Sequence, residues 1–226
     1  MKLTLIALTA TVLVSAAGAD TLDFSDLSHG DVVAAQYAGQ GVNIAAVNFD
    51  NPLNTDLAMV FDTSLSGTAD GDLEDPFSLG NTDLNTPLGN VLIISEDGTP
   101  NDEGTRPAGT LTFSFDMVVT SFGFHVVDLE SETAENSSLD FYLNGGLVES
   151  IDFAEFLAGG SHDNGVLYGN NSINLINEFA VAGGYDELVI NVGGSMGFDN
   201  ITYTVPAPGA FALFGMGAAM GIRRRR

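Results

Sequence analysis

The sequence has no cysteine, no tryptophan and only six lysine and arginine residues among 226. Without cysteine there is no disulfide and no thiolate to act as nucleophile or metal ligand, so a packed core must hold the fold. Without tryptophan the chain lacks the broadest aromatic platform for stacking on sugar rings. The shortage of cations says most. Lys2 and the four arginines at 223–226 take five of the six, which leaves Arg106 as the single base between Asp20 and Thr204. All 30 carboxylates fall in that interval and give it a net charge near −29. Nucleic acid is excluded as a partner of this interval, because neutralising phosphate needs clustered Lys and Arg. Such self-repulsion opposes a compact state unless salt or bound cations screen it. Calcium, a hard cation that takes oxygen ligands, is the cofactor this charge suggests.

The two ends of the chain differ from its middle. Residues 1–19 open with Lys2, continue through an apolar stretch and finish on Ala16, Ala17, Gly18 and Ala19 before Asp20. That is the pattern of a secretory signal peptide, with signal peptidase cutting after Ala19. Residues 205–226 begin Val205, Pro206, Ala207, Pro208, Gly209, run apolar to Ile222 and stop on Arg223, Arg224, Arg225 and Arg226. As a helix, the 14 apolar residues 209–222 would span roughly 21 Å, short of the ~30 Å hydrocarbon core. Such a segment can dip into a membrane while its arginines stay among cytoplasmic head groups. Residues 20–204 are then one domain, long enough for a sizeable core.

Within that domain the hydrophobic period is two almost everywhere. Leu111, Phe113 and Phe115 alternate with Thr110, Thr112 and Ser114; Leu139, Phe141 and Leu143 repeat the pattern. Further strands are expected at 21–24, 42–49, 57–61, 91–95, 121–129, 147–153, 173–181, 188–192 and 201–203. Asn144-Gly145-Gly146 marks a hairpin. Residues 152–158 suit a short helix or a strand end. Many short strands without a sustained 3.6-residue period predict an all-β, two-sheet antiparallel sandwich, of jelly-roll or Ig-like Greek-key topology. Two polar stretches, 63–90 and 96–108, read as long loops of the kind that carry function or disorder.

Signal, acidic β domain, Val-Pro-Ala-Pro-Gly, apolar run and arginine cluster together resemble a PEP-CTERM protein, with Ala207 where the usual tail has Glu. The domain also resembles a recurrent domain of that class, through Phe61-Asp62-Thr63-Ser64, Asp70-Gly71-Asp72-Leu73, Asp128-Leu129-Glu130 and the segment 197–203. The resemblance implies export from a Gram-negative cell and transient inner-membrane anchoring through the tail helix. It also implies sorting by an exosortase-type enzyme to the cell surface or an extracellular matrix rich in exopolysaccharide. A lectin-like sandwich with a structural or adhesive role would follow, and no catalytic residues.

For calcium, the candidate ligands are Asp62, Asp70, Asp72 and Asp75 in one Gly-containing loop, Asp128 and Glu130 at a strand end, and Asp199 before the last strand. The loop has the acidic alternation of a calcium site without EF-hand spacing. The plain alternative is solvated charge, which a chain this acidic spreads over any loop. Gly193-Gly194-Ser195-Met196-Gly197 has the letters of a nucleophile elbow, but a strand rather than a helix should follow, and no histidine lies downstream. His29, His125 and His162 lack metal-ligand spacing. Paired carboxylates would suit a secreted glycan hydrolase, although thirty acids create such pairs by chance. A calcium-dependent carbohydrate-binding module is the other alternative, with tyrosines as the available platforms; of these Tyr203 alternates into the core.

Overall fold

A computed structural model describes residues 18–101, 104, 106–131 and 136–207. The signal segment up to residue 17 and the tail from Pro208 onward, including Gly209 and Arg223 to Arg226, lie outside the described residues. Residues 19–205 form one body. Its strands are β1 (Gly18–Leu22), β2 (Val42–Asn48), β3 (Ala58–Asp62), β4 (Leu79–Gly80), β5 (Asn90–Ile94), β6 (Gly109–Val127), β7 (Ser138–Leu143), β8 (Gly146–Asp152), β9 (Ser172–Val192) and β10 (Gly197–Val205). They join in the order β3-β5-β10-β6-β9-β7-β8, with β1 beside β10, β2 beside β6 and β4 beside β9. The ladder between β4 and β9 is parallel; those joining β2, β3 and β5 to β10 are antiparallel. The molecule is all-β and sandwich-like.

β6 and β9 generate the two layers. The sequence reads as two short strands in each place, yet each is continuous, 19 and 21 residues long. The first half of β6 pairs with β2, from Asn48↔Gly109 to Val42↔Phe115, and its second half pairs with β10. Phe113 and Phe122 show how sharply it turns. Nine residues of straight strand would separate them by about 30 Å, but their rings are 6.5 Å apart. Two offset irregularities form the corner. Residues 115–118 of β6 face Asp186 alone, and then 181–184 of β9 face Thr120 alone. Such bulges bend a strand and raise its twist. Gly184 permits the crossing: it has φ +76°, and a Cβ there would lie 2.5 Å from Val118 Cγ1 and 2.8 Å from the Val119 carbonyl.

The fold brings the inner faces together over phenylalanine. Phe122 meets Phe141 at 6.2 Å, Phe141 meets Tyr185 at 4.9 Å, and Phe124 meets Phe198 at 5.9 Å. Each such ring pair contributes about 0.5–1.5 kcal/mol beyond the area it buries. Residues 153–156 close as a 3-10 turn that adds Phe153 and Phe156 to the core.

β3 and β5 are buried on both faces. Ala58, Val60, Leu92 and Ile94 enter the main core, while Met59, Phe61, Val91 and Ile93 enter a second, smaller one. The cover of the second core is the long polar loop after β3, which lowers Leu73, Phe77 and Leu88 onto the sheet. Burying a side chain of that size is worth about 1.5–3 kcal/mol, so apolar contact seats this loop despite its composition. Among the described residues, no helix is long and apolar enough to cross a membrane. Val205 ends β10, and Pro206, which has no N–H to offer a ladder, follows it.

Candidate cation site at the loop end

Asp128, Leu129 and Glu130 follow β6 directly. Asp128 is fully buried and has left-handed backbone, φ 62°. Its N–H donates to the Ser172 carbonyl at 2.7 Å, and its Oδ1 accepts the Asn171 N–H at 2.6 Å. The Leu129 N–H donates to Ser172 Oγ at 3.2 Å, and its carbonyl accepts the Gly169 N–H at 2.9 Å. With Leu129 buried between them, the two acids are fixed against the turn that opens β9.

Asp72 reaches the same place from the loop after β3. Its neighbour Leu73 is anchored in the second core, and the Asn171 amide Nδ2 holds the backbone on either side, donating to the Asp72 and Glu74 carbonyls at 2.8 Å each. One oxygen each from Asp72, Asp128 and Glu130 lie within 4.8 Å of one another. Asn170 Nδ2 bridges two of them, 3.1 Å from Asp72 Oδ2 and 3.3 Å from Glu130 Oε1. Arg106 Nη2 donates to Glu130 Oε2 at 3.1 Å. Asp72 Oδ1 and Asn171 Oδ1 are buried and accept no hydrogen bond. An all-oxygen cluster of this kind suits a hard divalent cation.

The remaining candidates lie apart from this group. Asp62 Oδ1 accepts the Ser64 N–H and hydroxyl at 2.9 and 2.7 Å, and the Asp62 N–H donates to His29 Nδ1. Asp70 is fully buried in a turn with Thr68, whose hydroxyl donates to the Asp70 carbonyl at 3.1 Å. Asp75 is exposed, and its N–H donates to the Thr63 carbonyl. Asp199 sits in β10, 1% exposed, and burial pushes its carboxyl up to about 8. Ser195 is buried in the turn between β9 and β10, with a strand following it. His125 is half-buried on β6, and His162 lies against Phe156 and Phe179.

Sequence reasoning missed Asn170, Asn171 and Arg106. The Gly169–Ser172 turn was visible in principle as Gly-Asn-Asn-Ser, but nothing local says which acids it faces. At the corner of β6 there is also a cleft of about 570 Å³, lined by Gln40, Phe115, Met117 and Tyr203 with the carboxylates of Asp20 and Asp116. No family model matches the chain, and no curated protein matches it.

Proposed function

We propose that this chain is an exported, non-enzymatic β-sandwich, displayed at the cell surface or released into an extracellular matrix, where it is structural or adhesive. It takes calcium between Asp72, Asp128 and Glu130. The observation that carries this reading is a sandwich with thirty carboxylates and one base, that base already spent on Glu130. Such a domain gains stability in a medium rich in divalent cations. Export through signal peptidase, transient anchoring in the inner membrane and processing by an exosortase-type enzyme follow from the PEP-CTERM-like ends. Deleting residues 209–226, or replacing Arg223 to Arg226 by Ser, changes where the protein accumulates; unchanged fractionation contradicts the sorting.

The calcium part has its own test. Thermal unfolding in millimolar Ca²⁺ lies several degrees above that in EDTA, since a ligand bound only by the folded state stabilises it. Asp128→Asn reduces the difference, and superimposable wild-type curves remove the metal. A second reading, a carbohydrate-binding module, is favoured by the corner cleft, whose apolar floor and two carboxylates suit a polyol with one apolar face. Binding to exopolysaccharide in a pull-down, weakened by Asp116→Ala, separates it from a passive matrix component.

A further inference from the structure

The corner cleft gathers four polar side chains that the protein itself leaves without partners. Asp20 comes from β1, Gln40 from the 3-10 turn before β2, Asp116 from the bulge of β6 and Tyr203 from β10. Among the described residues none donates to the Asp20 or Asp116 carboxylate, and the Gln40 amide is equally unengaged. Tyr203 is fully buried in the cleft wall, and its hydroxyl, shut off from water, has no hydrogen-bond partner. Burial, with the charge of Asp20 added, pushes that phenol up to about 12, so it remains a donor. A buried hydroxyl with nothing to bond is costly. A ligand in the cleft is the group that can meet it.

The frame around these side chains is fixed by the fold. The Asp116 N–H donates to the Gly41 carbonyl at 2.9 Å, which pins the bulge to the turn carrying Gln40. Phe115 pairs with Val42 across the β2–β6 ladder, and its ring lies 5.2 Å from that of Tyr203. Met117, half exposed, extends the apolar floor. At about 570 Å³ the cleft falls within the range of small-molecule sites.

Charge and the neutral groups together select the ligand. No lysine or arginine lines the cleft, and Arg106, the single base between Asp20 and Thr204, is held by Glu130. A cleft lined by one sign of charge concentrates ligands of the other sign and repels its own. A neutral sugar would desolvate two carboxylates in exchange for uncharged hydrogen bonds. A plain alkylamine would satisfy the carboxylates and leave the Gln40 amide and the Tyr203 hydroxyl unmatched. An ammonium on a hydroxylated ring answers both, and the apolar face of the ring suits Phe115 and Met117.

We propose that the corner cleft binds a cationic amino sugar, its ammonium held by Asp20 and Asp116 and its hydroxyls by Gln40 and Tyr203. This rests on the carbohydrate-binding reading of the cleft and narrows it to one charge class. The site needs no metal and uses none of the loop-end residues.

The test is a ligand titration followed by saturation-transfer NMR, on the full chain in EDTA at a pH that keeps the amine protonated. Glucosamine, N-acetylglucosamine and glucose are the probes, one charged and two neutral. Glucosamine binds about tenfold tighter than either neutral sugar, because only it makes charge-assisted hydrogen bonds to the carboxylates. Asp116→Asn brings glucosamine down toward the neutral sugars, whereas Asp56→Asn, which removes an exposed acid outside the cleft, leaves it unchanged. Tyr203→Phe weakens binding without lowering the melt, since the fold does not use that hydroxyl. Equal binding of all three sugars overturns the charge selection and leaves carbohydrate binding standing. If none of the three binds, the proposal fails, and the exopolysaccharide pull-down then decides whether the broader reading fails with it. An equal loss in Asp56→Asn overturns the site in favour of the diffuse field of the domain. Glucosamine binding that appears only with calcium overturns it in favour of a metal.

Discussion

Arg106 Nη2 lies 3.1 Å from Glu130 Oε2, so the one base between Asp20 and Thr204 is placed against the tightest group of carboxylates among the described residues. The guanidinium partly offsets a charge that a bound cation would also offset. Arginine and a bound cation would therefore compete for Glu130.

Arg106→Gln should destabilise the chelated protein by up to about 1 kcal/mol, because the pair is roughly one-third exposed and solvent weakens it. For a domain of this size that is about 2–4 °C in the melt. In calcium the deficit should shrink or vanish, since the ion meets less competition. Paired melts with and without EDTA check this; an equal deficit in both conditions refutes the competition.

Asn171 ties the Asp72 loop to the start of β9. Asn171→Ala removes two hydrogen bonds to carbonyls and places a β-carbon-bearing residue without a side-chain amide at φ 53°. The expected cost is about 2–3 kcal/mol, read as a lower urea midpoint with the slope unchanged. The calcium response should weaken with it. A midpoint within error of the wild type would show that the clamp is not needed.

Gly80 crosses β9 so closely that a Cβ would sit 1.6 Å from the Ile173 carbonyl oxygen. Gly80→Ala must therefore break the β4–β9 contact and loosen the covering loop while the main core survives. Limited proteolysis should cut within residues 63–88 of the variant and spare the wild type. Equal resistance contradicts the view that this short parallel contact pins the loop.

Burial holds the His125 imidazole below its ordinary value of 6.5. The unfolded chain then binds the proton more readily than the fold does. Stability from the neutral ring is present above the unfolded value and is lost progressively as pH falls from there through the lower folded value. His125→Leu should flatten the slope of stability against pH below about 6.5. Urea titrations at several pH values measure this, and a slope identical to wild type would contradict it.

Much of the fold was legible because alternation survives within each half-strand. β7 falls at 138–143 as read, and β2 and β5 lie within a residue of expectation. What alternation cannot show is continuity: β6 and β9 read as pairs of strands because bulges at 115–118 and 181–184 interrupt the period. The stretch 63–90 read as a long functional or disordered loop because Leu73, Phe77 and Leu88 follow neither period, and only the sheet beneath explains their spacing. For the candidate site, the acids were visible and their grouping was not. Asp72, Asp128 and Glu130 meet through the Asn170–Asn171 turn.

The central claim is that this is an exported, end-processed acidic sandwich, and the intact mass of the protein recovered from its producing cells tests it most directly. The account predicts a surface or extracellular species lacking residues 1–19 and shortened within the tail that begins at Val205. A cytosolic species at the full 23.5 kDa, with both ends present, would contradict it.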